Sequence, residues 1–266
     1  MVATHEYALS ILVMTEDGSR DARAIVSALL KRLLVHLDPA CQTQRIAFDP
    51  ASDLDDIVRA NLWKGRRAER IRLHRRVAQQ LRNEDGFVVH HVDADQTWAD
   101  RNQSDNVARL RSDILPPIYR QLLDYYRQQN PNISDEQLNR IVEVRMTRYL
   151  CLLPHWELEA WLYQHTARAT SLCPGPPRCQ RRPSCRSKLA GWRDDRGALD
   201  EVPHPSDELC FGKQHNADLV QGYPTEAVYR AGKSLAAAVD AMLGCDALLH
   251  AIQRTYETSP GVLEST

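Results

Sequence analysis

Apolar positions along this chain change their period several times, and each change marks an element. Residues 8–14 (Ala-Leu-Ser-Ile-Leu-Val-Met) form a nearly unbroken apolar run, the mark of a buried strand. From Asp21 to Leu37 the apolar spacing shifts to three and four, with Ile25, Val26, Leu29, Leu30, Leu33 and Leu34 on one stripe. That spacing predicts an amphipathic helix. A short strand is expected over 43–48, before the turn signal Asp49-Pro50. A long helix, or two in tandem, fills 53–83, and the run Gly86-Phe87-Val88-Val89-His90-His91-Val92 reads as a strand. Another helix pattern covers 104–128. Ser134-Asp135-Glu136-Gln137 has the form of a capping box and opens a helix through Val142. Val144–Leu153 reads as a further strand stopped by Pro154, and a helix begins at Glu157 and reaches Tyr163. Strands alternating with helices predict βαβ units and a mostly parallel sheet, hence an α/β fold.

The pattern loosens after Thr170. Residues 173–186 hold three cysteines and four prolines among several arginines, too irregular for a strand or helix, and 194–216 stay polar and turn-rich. A helical tail is expected over Thr225–Tyr256, with Leu235, Val239, Met242, Leu248 and Ile252 as its inner face. The expected organisation is therefore an α/β domain over 1–168, then a Cys/Pro-rich loop and a helical C-terminal subdomain over 169–266.

Composition narrows the function classes. A net charge of −1 gives the chain no global pull toward nucleic acid or membrane, so any such binding must come from local patches. No apolar run reaches the roughly 18 residues that span a bilayer. Met1-Val2-Ala3-Thr4-His5-Glu6 lacks a basic n-region and a long apolar h-region. A cytoplasmic location is expected, and there seven cysteines read as thiols or metal ligands and not as disulfides.

Acidic residues cluster where strands are expected to end. Asp93 and Asp95 follow the third strand one residue apart, so alternation would point both to one side at its carboxyl end. In open α/β sheets ligands bind at that edge. Hard oxygen donors without sulfur suit Mg²⁺ or Mn²⁺. Strands also stop in acidic turns for purely structural reasons, and Asp-x-Asp alone divides evenly between the two readings. Glu16 follows the first strand, with Gly18 and then Asp21 at the start of the next helix. Glu157 and Glu159 follow Pro154 after a third strand. Three acidic strand ends in βα order make a cage for one or two hard cations. For Glu157, a carboxylate at a helix N-terminus is also favoured by the helix dipole alone. His91 and His155 sit beside the acids and read mainly as hydrogen-bonded structural histidines.

A Glu after an apolar first strand and a later apolar strand ending in Asp-x-Asp resemble the TOPRIM (topoisomerase–primase) superfamily. The closer likeness is to small stand-alone TOPRIM proteins of bacterial phage-defence loci and to nuclease domains of the OLD (overcoming lysogenisation defect) type. Glu16, Gly18 and Asp21 fill that group's first acidic motif, with Asp17 standing where its Gly usually follows directly. Pro154-His155-Trp156-Glu157-Leu158-Glu159-Ala160-Trp161-Leu162 matches its later Pro, aromatic, Glu and Trp pattern. The resemblance spans about residues 8–166. It implies a TOPRIM-like sheet and Mg²⁺-dependent phosphodiester chemistry, with Asp93 and Asp95 holding the cation. Glu16 would then be a second-site ligand or the base that activates water, and Glu157, ahead of Glu159, would complete that second site. It also implies a partner ATPase and a role in antiviral defence, with DNA ahead of RNA as substrate and self-association left open. A topoisomerase would need a tyrosine nucleophile in a large DNA-gate domain, for which the chain has no room, and a primase template-binding and zinc-ribbon parts, which are not evident, so a nuclease is the economical reading.

Two further features bear on that reading. Lys64, Arg66, Arg67, Arg70, Arg72, Arg75, Arg76 and Arg82 face a single acid, Glu69, within one predicted helix. Such a run can neutralise phosphates, with Lys64, Arg66, Arg67, Arg70 and Arg75 as the expected contacts, or simply be a solvated face. Cys173, Cys179 and Cys185 are each separated by five residues, wider than most zinc pairs, yet a Pro-rich stretch without regular structure needs a staple. A structural Zn²⁺ there is one reading; Cys210, His204 and His215 lie further on. Cys41, Cys151 and Cys245 read as core thiols.

Rival classes remain. Asp93-Ala94-Asp95-Gln96-Thr97 fits the nucleophile motif of a haloacid-dehalogenase-like phosphatase, with Asp194-Asp195 as its distal acids. That motif normally ends the first strand, and here two strands precede it. A glycosyltransferase could use Asp-x-Asp to hold a metal–diphosphate, with Glu16-Asp17-Gly18-Ser19 as a faint echo of its nucleotide loop. A non-catalytic adaptor would keep its activity when Asp93 is mutated.

Overall fold

A computed structural model describes residues 7–16, 20–49, 67–173, 179 and 184–257. Four strands form an all-parallel sheet in the order β2-β1-β3-β4, with β1 at Leu9–Thr15, β2 at Ile46–Asp49, β3 at Gly86–His91 and β4 at Tyr149–Leu152. The α/β expectation holds. β1 and β3 are neighbours, with Ser10 opposite Gly86 and Thr15 opposite His91.

Helix α1 (Arg20–Leu37) links β1 to β2, and α2 (Arg67–Arg82) precedes β3. The chain steps one way from β1 to β2 and back the other way to β3. Right-handed crossovers therefore put α1 and α2 on opposite faces. Alternation in β1 serves both. Ile11 and Val13 pack with Leu29, Leu30, Leu33 and Leu34 of α1. Leu12 and Met14 pack with Leu73, Val77 and Leu81 of α2.

The second face is completed, after the short α3 (Asp105–Arg109) that leads into α4, by α4 (Leu115–Gln129) and α5 (Asp135–Met146). The single helix expected over 104–128 is interrupted by a π turn at Leu110–Ile114. Pro116 and Pro117 follow in the first turn of α4; having no N–H groups, they cannot continue the regular ladder, and the wider turn absorbs the break. The capping box at Ser134 forms as expected, its Oγ accepting from Gln137 N at 3.2 Å. The helix then runs four residues past Val142, so the strand expected from Val144 starts only at Tyr149. Helical spacing buries Leu138 and Val142 and leaves Val144 53% exposed, which overrides the short Val-x-Val-x-Met alternation.

After β4 come α6 (Glu159–Leu162), α7 (Thr166–Leu172), α8 (Cys185–Asp194), α9 (Asn216–Val220), α10 (Thr225–Arg230), α11 (Ser234–Leu243) and α12 (Asp246–Gln253). The tail expected as one helix is three, split at Gly232 and Gly244. Gly232 takes a left-handed φ of 76°, the usual helix stop. Leu235, Val239, Met242, Leu248 and Ile252 all face inward, as expected. They join Ile11, Val13, Phe87, Val89 and α1 in one continuous core, so the residues after 168 share the sheet's α1 face. Buried Trp161 is central there: its Nε1 donates to Ser234 Oγ (2.6 Å), and Tyr223 Oη donates to its carbonyl (2.8 Å). Among the described residues no single helix is long and apolar enough to cross a membrane.

Candidate active site

The direction of the chain across the sheet reverses between β1 and β3, and a crevice opens outside their carboxyl ends at such a switch point. Glu16 follows β1 and Asp93 lies two residues beyond β3, so the two acids meet there. Asp93 N donates to Glu16 Oε2 at 3.0 Å. β3 ends at His91, so Asp93 and Asp95 are not the alternating strand positions expected but belong to the loop beyond it. That loop runs beside the segment after β4: Val92 N, Ala94 N and Asp95 N donate to the carbonyls of Leu152, Pro154 and Trp156 at 3.0–3.1 Å. Asp95 and Trp156 both adopt left-handed backbone, with φ of 51° and 65°. Asp tolerates this conformation better than most residues do.

Asn106 ties the acids together. Its Nδ2 donates to Asp95 Oδ2 (2.8 Å) and to Asp93 carbonyl O (2.9 Å), and lies 3.4 Å from Glu16 Oε1. Ser104 fixes that helix start: its Oγ caps α3 by accepting from Val107 N (3.1 Å) and donates to Ala94 carbonyl O (2.6 Å). Burial, then the charges of Asp93 and Asp95, push Glu16 up to about 7. Burial and then Asp93 also raise Asp95, against the pull of Asn106. Asp93 Oδ1 pairs with His91 Nε2 at 3.2 Å. Mutually repelling carboxylates gathered at one sheet edge are the donor chemistry that a hard divalent cation relieves. Among the described residues these carboxylate oxygens do not already lie within 4.8 Å of one another as a set of three; like charges keep them apart.

Glu157 and Glu159, expected as further metal ligands, are both buried and both held by other groups. Glu157 accepts from Ser206 N and Lys213 Nζ, each at 2.8 Å. Glu159 accepts from Asn216 Nδ2 at 2.6 Å and lies 3.5 Å from Lys213 Nζ. Burial would raise Glu157, but Lys213 and Ser206 outweigh it and hold the carboxyl below its ordinary value. Glu159 is shifted upward by burial. Burial opposes the Lys213 charge, yet Glu157, Glu159 and Asp93 together raise its pKa. An ammonium thus stands where the sequence suggested a second cation.

The remaining expected residues are dispersed. Asp21 is exposed in the first turn of α1. Asp17, Gly18, Lys64 and Arg66 fall outside the described residues. In α2, Arg67 and Arg75 are exposed, Arg70 is half-buried, and Arg76 pairs with Asp49 at the end of β2. As a crossover helix running antiparallel to β3, α2 has its Arg67–Arg70 end at the same sheet edge as the acids. His155 packs edge-on against Trp98 and faces Gln96 carbonyl O at 3.2 Å, as a structural histidine does. Asp194 and Asp195 are exposed at the end of α8, where Asp194 accepts from Arg193, and no strand carries them to Asp93. Asn106, Lys213, Ser206 and Asn216 escaped sequence reasoning; only Ser104, a helix-capping type three residues before a buried Val, left a local signal.

No protein-family model matches the chain, and comparison with curated proteins and with solved structures yields no match.

Proposed function

We propose that the chain is a TOPRIM-type, metal-dependent nuclease that hydrolyses phosphodiester bonds, with DNA ahead of RNA as substrate. The observation that carries this reading is the meeting of Glu16 and Asp93, with Asp95 tied in by Asn106, at the switch point of an all-parallel sheet. Asp93 and Asp95 would hold a Mg²⁺ or Mn²⁺ ion, which neutralises the scissile phosphate and acidifies a bound water. Glu16, half-buried and easily protonated, takes the proton of the attacking water while the new P–O bond forms and the P–O bond to the leaving oxygen breaks. Asn106 holds Asp95 and the Asp93 backbone in place. Lys213, with Glu157 as its anchor, supplies positive charge on the side of Asp93, and Arg67, Arg70 and Arg75 would contact flanking phosphates. Within this reading the chain works beside an ATPase in anti-phage defence.

The test is cleavage of supercoiled plasmid and of labelled RNA with Mg²⁺ or Mn²⁺, comparing the wild type with Asp93→Ala/Asp95→Ala. The expected result is cleavage that requires the metal and falls at least about a hundredfold in the double variant. Asp93-dependent hydrolysis of a phosphomonoester with intact nucleic acid would favour the phosphatase reading and overturn this one.

A further inference from the structure

Four cysteines from separate stretches of the chain converge. Cys173 follows the last residue of α7, Cys185 opens α8, and Cys210 lies in the turn before the Lys213–His215 helical turn. Cys179 is the fourth, and all four Sγ atoms lie within 4.8 Å of one another. Cys173 and Cys179 sulfurs are 3.2 Å apart, Cys210 and Cys173 3.4 Å, and Cys210 and Cys185 3.3 Å. A disulfide bond is about 2.05 Å long. Four thiolates around one zinc, at Zn–S of about 2.3 Å, stand about 3.8 Å apart. The observed sulfurs sit just inside that tetrahedron.

We propose that Cys173, Cys179, Cys185 and Cys210 bind one Zn²⁺ as a closed tetrathiolate site. Binding would replace four S–H protons by four Zn–S bonds, releasing four protons for each ion taken up. Sulfur donors exclude Mg²⁺ and Ca²⁺ and suit zinc. Sulfurs packed this closely surround a single ion, whereas an iron–sulfur cluster spreads its cysteines over several metals.

The fourth ligand explains what the spacing of the first three could not. Cys210 is remote in sequence and pairs with the cluster only after the chain has returned from α8. Seven residues in α7 and ten in α8 are too few to be stable alone, so an ion that joins them to the 209–212 turn would add to the burial of Ala169, Leu189, Trp192, Leu209 and Phe211 in the core. Lys188 of α8 also pairs with Glu208 beside that turn. With four protein ligands and no open position, the site is structural. Its reach extends to the acids, because Ser206 and Lys213 flank Cys210 and both bind Glu157.

Elemental analysis of the full-length protein, purified without chelator, should find one zinc per chain. Replacement by Co²⁺ should give the intense visible bands and sulfur-to-metal charge transfer of tetrahedral thiolate coordination. Cys210→Ser should lose the ion or weaken that spectrum, whereas Cys41→Ser, outside the quartet, should keep both. Should Cys210→Ser fail to fold, the wild-type cobalt spectrum decides. Native protein free of metal with all four thiols open to a thiol reagent would overturn the proposal, as would iron in place of zinc. Zinc content should be the same in Asp93→Ala/Asp95→Ala, which separates this site from the nuclease reading.

Discussion

At the scale of single residues, the acidic edge is organised by side chains that are neither acidic nor near one another in sequence. Asn106 donates to Asp95 Oδ2 and to the Asp93 carbonyl, so it fixes the Asp95 carboxylate and the Asp93 backbone relative to each other. Removing such a support typically weakens metal binding about 10–100-fold. Asn106→Ala should lower Mn²⁺ affinity by that factor while Asp93 and Asp95 remain present; unchanged affinity would show that Asn106 only packs. Lys213 has a different duty. Lys213→Met would leave two buried carboxylates without their cation, at a cost of about 1–3 kcal/mol. Urea unfolding should show that loss, and Glu159→Gln in the same chain should recover part of it. Equal stability of Lys213→Met and wild type would show that solvent already screens the pair.

At the scale of elements, the crossover geometry depends on close contact at the turn between α2 and β3. A Cβ built on Gly86 would lie 1.9 Å from the carbonyl oxygen of Gln80, so the backbone itself would have to move. Gly86→Ala is therefore expected to destabilise the protein by at least about 1–3 kcal/mol, read from the denaturant midpoint. β1, β3 and α1 could be read from the chain because each satisfies one period over its whole length. The length of α5 and the division of the tail could not. Val142, Val144 and Met146 offer a strand alternation that loses to a helix already capped at Ser134, and Gly232 ends α10 in a stretch whose apolar spacing barely changes. The acids at strand ends were legible because strand ends are local features. Asn106 and Lys213 were not, because each acts across ten or more residues of chain and neither carries a spacing signal; Cys210 stood out only as one of several residues beyond the cysteine run.

At the scale of the molecule, two cores flank one sheet, and polar groups buried in them couple stability to pH. Burial lowers His74 to about 4, helped by Arg70 and Arg120, and lowers His90 to about 3, helped by His91. The unfolded chain takes up these protons near pH 6.5, so between that pH and about 4 it binds more protons than the folded chain. Their contribution is complete above pH 6.5 and is lost as pH falls. Asp200 opposes it: burial raises its carboxyl to about 6 even though Ser234 donates to it twice, so its contribution is lost as pH rises from about 4 toward 6. Glu16 acts in the same sense as Asp200. The urea midpoint at pH 5 relative to that at pH 7 should therefore be higher in His74→Gln than in the wild type; an identical pH response would show that His74 is not held neutral.

Calorimetric titration of zinc-loaded protein with Mn²⁺ tests most directly whether Glu16, Asp93 and Asp95 form a divalent cation site, since it needs neither substrate nor partner. Saturable binding is expected in the wild type and its loss in Asp93→Asn/Asp95→Asn. Binding that survives the double substitution, or no binding in the wild type, would contradict such a site.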